Sequence, residues 1–247
     1  MKEGHVVLGM AALGILMVSA GAVQAVVVEI AFEAVVTHVD AGNGVLDGVV
    51  GIGDTFVGTY CYDTATPGSK PAPPPWNPDL MVYEYDTFPS GVTLTVSDFT
   101  AMTNPTNVRF DVVIGSIAAV HMGYDVFGWM SHDNIVAGVH GITVSEIFLS
   151  AGTNVMFGEH GPVDGDTTLP VGPLDLAKWD FISVVVTGTS VDGLDNWRII
   201  SDVTSMQSIP EPATVFLVIA GALLAHGRRS PTQPSTVASP SVNGARR

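Results

Sequence analysis

One cysteine, Cys61, stands in 247 residues, and basic side chains are almost as scarce: nine Lys and Arg against 24 Asp and Glu. A single thiol excludes an internal disulfide and a Cys-pair zinc site, so the fold must hold without either staple. Within Thr59-Tyr60-Cys61-Tyr62, a strand-like run, Cys61 reads as a small buried hydrophobe. The scarcity of positive charge is sharper in the middle of the chain. Between Val26 and Ser208 only Lys70, Arg109, Lys178 and Arg198 are basic, and the 24 acids less Glu3 and Glu211 leave 22, a net charge of −18. Such a body repels phosphate backbones, which excludes nucleic acid as a partner class, and it disfavours docking on anionic lipid.

Other signals are missing too. There is no G-x-S-x-G elbow, no H-x-x-x-H pair and no EF-hand loop. No stretch between 26 and 208 has a capped helical period, apart from one turn near Gly172 to Trp179.

What is present is alternation. In Val26–Thr37 the residues Val28, Ile30, Phe32, Ala34 and Val36 point one way, and Glu29, Glu33 and Thr37 the other. That period of two describes a strand with one wet face. The same holds for Val92, Leu94 and Val96, for Val108, Phe110, Val112 and Ile114, and for Trp197, Ile199 and Val203. Gly, Asn, Asp and Pro clusters separate the runs: 40–44, 51–54, 104–107, 131–134, 161–166 and 191–196. Many short strands broken by such turns predict an all-β, antiparallel sandwich or jelly-roll-like single domain over 26–208. Six of the sixteen prolines fall between Thr64 and Leu80, so 70–80 is expected as an extended loop outside any sheet interior.

The two ends carry a different pattern. Met1–Ala25 has Lys2 near its start and an uncharged, mostly apolar run from Val6 to Val23. Val23-Gln24-Ala25 then supplies small or apolar residues at −3 and −1, so a secretory signal helix is expected with cleavage between Ala25 and Val26. At the other end Pro210-Glu211-Pro212 precedes a charge-free run to Gly227, followed at once by Arg228 and Arg229. The sixteen residues from Pro212 to Gly227 span about 24 Å as a helix, short of a bilayer core of about 30 Å. The two arginines keep their side of the membrane cytoplasmic. Each proline holds its predecessor extended, so 209–212 is expected as an accessible strand-like segment.

Those residues, Ile209-Pro210-Glu211-Pro212-Ala213, then Ala213–Ala225, then Arg228-Arg229, resemble the PEP-CTERM sorting signal. The resemblance implies recognition by an exosortase, a membrane-embedded cysteine protease. It also implies cleavage near the motif and delivery to the cell surface or an exopolysaccharide matrix. Pro210, Glu211, Pro212, Ala213, Arg228 and Arg229 are then recognition positions of a substrate, and the inner membrane is a transient anchor. The chain departs from the usual pattern by running on from Ser230 to Arg247 in a Pro/Ser/Thr-rich tail, expected to be disordered. A looser likeness to β-rich exported proteins carrying this signal lies in Phe32, Val36, Val39, Gly53-Asp54, Gly58, Tyr60, Tyr62-Asp63 and Thr66-Pro67.

Candidate chemistry within 26–208 is thin. Ser131-His132-Asp133 is contiguous, and neighbours on a strand face opposite ways, so it reads as a polar turn and no catalytic residue is assigned. His121, His132, His140 and His160 lack ligand spacing, so no transition-metal site or required cofactor is expected. Asp164 and Asp166, on a Gly-hinged loop, are candidate Ca²⁺ ligands, as are Asp192, Asp195 and Asn196; an Asp-Gly turn is the favoured reading of both loops. Among Trp76, Tyr83, Tyr85, Trp129, Trp179 and Trp197, the last two fall in registers that read as core. Trp76, in the proline loop, is the candidate carbohydrate contact. The expectation is an exported, non-enzymatic surface or matrix protein, with a carbohydrate-binding module and a secreted hydrolase as alternatives.

Overall fold

The computed structural model describes residues 26–70, 79–118, 122–156, 161–163 and 165–210. It contains eleven strands: β1 (Val27–Ala41), β2 (Thr55–Asp63), β3 (Asp79–Tyr85), β4 (Gly91–Val96), β5 (Phe99–Thr103), β6 (Phe110–Ala118), β7 (Met122–Ser131), β8 (Asn134–Ala137), β9 (Ile142–Met156), β10 (Phe181–Ser190) and β11 (Asn196–Ser208). Among the described residues the only helical turns are two short 3-10 turns, Gly42–Gly44 and Leu176–Lys178. The second is the single turn expected near Gly172–Trp179. The signal helix expected in 1–25, the apolar helix expected over Ala213–Ala225 with the two arginines after it, and the tail 230–247 lie outside the described residues. No described helix is long and apolar enough to cross a membrane.

The chain is all-β, and every neighbouring pair is antiparallel. The strands form one sheet, in the order β3-β6-β7-β9-β10-β11-β1-β2-β4-β5-β8, where two stacked sheets were expected. The reason is continuity of pairing. β10 pairs with β11, β11 with β1 and β1 with β2 across the middle, so nothing divides the strands into two hydrogen-bonded sets.

Alternation places the core. Val28, Ile30, Phe32, Ala34 and Val36 are buried while Glu29 and Glu33 are exposed, as their parity predicts. Phe56, Tyr60 and Tyr62 of β2 join the same face. The sheet curls this face inward. Trp129 of β7, five strands from β2 in the sheet order, meets Tyr60 at 5.3 Å and Phe32 at 6.2 Å between ring centroids. Phe110 of β6 lies 5.8 Å from the same indole. Tilted ring pairs of this kind add about 0.5–1.5 kcal/mol each beyond area burial. Irregularities in the β1–β11 register at Glu33/Ala34 and Val36/His38 are where such bending is absorbed. At Gly188, on the inner face of β10, any Cβ would overlap the Thr143 carbonyl and the Trp197 ring, so only glycine lets β9 and the indole approach.

The curl brings the short edge strand β8 back toward β9, where Asn134 Nδ2 donates to the Ser145 carbonyl at 3.3 Å. The opposite edge, β3, is shielded by Ser69, whose amide and carbonyl exchange bonds with Val82 at 2.7 and 2.8 Å. Tyrosine hydroxyls pin the β9–β10 connection over the core: Tyr62 donates to the Pro170 carbonyl at 2.6 Å and Tyr83 to the Thr167 carbonyl at 2.7 Å. Buried Asp125 accepts from the Val163 amide at 2.8 Å on the same connection.

The body ends sharply. The Ile209 amide donates to the Glu29 carbonyl at 2.9 Å, and the boundary between compact units falls between Ile209 and Pro210. At the other end the Val26 carbonyl accepts from the Thr64 amide at 3.1 Å.

Candidate functional site

Many residues singled out in the sequence fall on structural duties. Ser131, His132 and Asp133 diverge as strand geometry requires. Ser131 is fully buried, with its hydroxyl 2.7 Å from both Thr103 Oγ1 and Asn134 Oδ1. His132 turns outward to place Nε2 3.0 Å from Asp111 Oδ2, and Asp133 accepts from Asn107 Nδ2. No nucleophile–base pair arises among the three.

Asp166 is exposed and caps its own turn: Oδ1 accepts from the Thr168 amide at 2.9 Å. That bond holds its carboxyl below the usual carboxylate range. Asp192 does the same in the β10–β11 turn, bonded first to the Ser190 hydroxyl and then to the Leu194 amide, and its carboxyl is likewise lowered. Asp164 lies outside the described residues. Among those described, no group of three or more His, Cys, Asp or Glu is placed to hold a metal ion.

The aromatics are mostly interior. Trp129, Trp197, Tyr83 and Tyr85 are buried, which removes them as exposed sugar platforms. Trp179, expected in a core strand, instead follows the Leu176–Lys178 turn and packs half-buried against the core. Trp76, His121 and His160 lie outside the described residues. So do Ala25, Glu211, Pro212, Ala213, Arg228 and Arg229; of the processing positions only Val26 and Pro210 are described, and both are exposed.

Sequence reasoning missed two hollows on the outer surface, because each is assembled from segments far apart in the chain. The first, about 420 Å³, has a floor of Glu29, Thr59 and Cys61 on the outward parity of β1 and β2, and walls that include Phe88, Met102 and Val108. Glu29 is its one charged lining residue. Gly91 opens this hollow's inner wall: it sits at φ 145°, and a Cβ there would stand 2.8 Å from Thr103. The second, about 550 Å³, is lined by Glu84, Asp86, Arg109, Asp111 and His132, again with Val108. Glu84 and Asp111 face each other across the β3–β6 pair, which sets their side chains on one outward face. The hollows therefore adjoin at Val108, and the continuous segment from Glu84 to Gly91 contributes to both.

The floor of the first hollow carries the lone thiol. Cys61, expected as a small buried hydrophobe, is half-buried and outward-facing, and its Sγ donates to the Pro89 carbonyl. Desolvation, aided by the Glu29 carboxylate beside it, pushes the thiol up to about 11. A thiol so held is a weak nucleophile at neutral pH. Phe88, at the rim, is 74% exposed. The only hint of this site in the sequence was the clustering of Asp, Phe and Pro at 86–89, which reads as an ordinary turn.

Compared with protein-family models, curated proteins and solved structures, the chain matches none.

Proposed function

We propose that this chain is an exported, non-enzymatic surface or matrix protein, trimmed at both ends: after Ala25 by signal cleavage and near Pro210–Ala213 by an exosortase. In this reading 1–25 and 213–225 are membrane helices, and the curled body packs β1 and β2 against β6 and β7 much as a sandwich packs its two layers.

One observation carries the proposal. The folded body stops at Ile209, whose amide makes the last bond to β1, and the next residue is the first of the Pro-Glu-Pro stretch. Proline has no N–H to extend the ladder, so the sheet ends where the recognition segment begins. The chain enters beside the same place, since Val26 immediately precedes β1 and Ile209 bonds to Glu29 three residues on. Neighbouring strands are about 4.8 Å apart, so both membrane-directed ends leave the body at the same end of the adjacent strands β1 and β11. A domain whose two ends leave it together suits release to the surface by two cuts.

Intact mass of the released protein tests this. The expected species begins at Val26 and ends between Pro210 and Ala213, and Glu211→Ala leaves it membrane-bound. A released form that still carries Arg247, or full-length protein in the cytosol, overturns the reading.

A further inference from the structure

We infer that the paired hollows meeting at Val108 form a binding trough for a glycan that carries no acidic groups. The inference deepens the matrix reading and rests on it for the choice of a polymer as ligand.

The chemistry of the lining selects the class. The second hollow presents hydrogen-bond donors from Arg109 and His132 beside acceptors from Glu84, Asp86 and Asp111. Hydroxyls both donate and accept, so a sugar ring can satisfy such a mixed set, whereas a simple cation or anion satisfies one half and is repelled by the other. His132 is held by Asp111 at 3.0 Å, and its backbone amide is fixed to the Arg109 carbonyl at 2.9 Å, so these groups are positioned before any ligand arrives. The first hollow supplies the complementary surface: half-buried Met102 and the exposed ring of Phe88, against which the C–H face of a pyranose can stack. Each hollow falls within the size of ordinary small-ligand sites, roughly 300–1,000 Å³.

Charge narrows the class further. Arg109 is the only basic side chain of the trough apart from His132, against four carboxylates counting Glu29. The body around it carries −18 between Val26 and Ser208. A polyuronate would meet repulsion along its length, so neutral or amino-bearing chains are favoured.

The test uses the full-length chain in mild detergent, with three immobilised probes: cellohexaose, a glucosamine hexamer and a hexaguluronate. The expected result is saturable retention of the neutral or amino hexamer and none of the uronate. Phe88→Ala is expected to weaken that binding about tenfold, the scale of one lost stacking contact. Arg109→Ala should weaken it at least as much, while Leu194→Ala, on the exposed β10–β11 turn, should leave it unchanged. Both Phe88 and Arg109 are exposed, so the variants keep the fold. Failure to retain either non-acidic probe overturns the trough, as does preferred retention of the uronate or binding that survives both variants. Because binding is read without processing, a chain that binds but is never released keeps the trough and loses the sorting role. A chain that is released but does not bind does the reverse.

Discussion

The hydroxyl oxygens of Thr103 and Ser131 stand 2.7 Å apart, and through them the two ends of the sheet are joined. Thr103 closes β5, next to the β8 edge, and Ser131 closes β7, near the β3 edge. The Val92 amide donates to Thr103 Oγ1 at 2.9 Å, and Ser131 donates to Asn134 Oδ1 at 2.7 Å. Thr103 must therefore give its own proton to Ser131, and the chain of bonds runs in one direction from β4 to β8. Thr103 and Ser131 are buried and Asn134 is half-buried, so each bond depends on its neighbours.

Removing one link should thus cost more than half of removing both. Thr103→Val strands the Val92 amide and leaves Ser131 one partner short; the expected loss is about 1–3 kcal/mol. Ser131→Ala should cost a similar amount, and the double variant markedly less than the sum. Urea denaturation of the four species measures the coupling. Strict additivity would mean that the two hydroxyls act independently and that the curl is held by packing alone.

Trp129 offers a second test, because it is both the hub of the inner face and a liability. Its ring touches Phe32, Tyr60 and Phe110, yet its Nε1 is buried with no partner among the described residues. Trp129→Ala empties the hub and should destabilise by about 3–5 kcal/mol. Trp129→Phe also loses volume, but it removes an unsatisfied donor, whose burial costs about 1–3 kcal/mol. The phenylalanine variant should therefore lie much closer to the parent than to the alanine variant. Equal losses for the two would show that the indole N–H has a partner, such as a buried water, in solution.

What could be read in advance follows from range along the chain. The parity of Val28 to Val36 needs only neighbours, and it placed β1 on the core face correctly. The β4–β5 hairpin was invisible for an equally local reason. Its turn is Ser97-Asp98 with Ser97 at φ 49°, and neither residue is the glycine or asparagine that marks such turns, so the alternation of Val92, Leu94 and Val96 carries no sign of where the strand reverses. Four-residue β8 is too short to show a period. The single sheet depends on which strands pair across more than a hundred residues, as β1 does with β11, and alternation does not record pairing partners. The hollows are less legible still: Glu29, Cys61, Phe88 and Met102 share a wall only because β1, β2, β4 and β5 are adjacent.

Cys61 ties the site to a pH-dependent measurement. Its thiol is raised to about 11 by burial and by Glu29, whereas an unfolded chain titrates near 8.5. At pH 8 the native thiolate fraction is then on the order of a hundredfold below that of the unfolded chain, and alkylation by iodoacetamide should be slower by that factor. The rate should climb tenfold per pH unit until about 11. The linked stability has the matching sign: full below the unfolded value, because both states then hold the proton, and shrinking as pH rises toward the folded value, because the unfolded chain releases it first. Cys61→Ser keeps a donor for the Pro89 carbonyl and has no such proton to lose, so its stability should stay flatter between pH 8.5 and 11. Glu29→Gln should bring the alkylation midpoint down in the otherwise unchanged hollow. A midpoint near 8.5 in the native parent would mean that the thiol is open to water and that Phe88 and Pro89 do not roof the floor they share with Glu29.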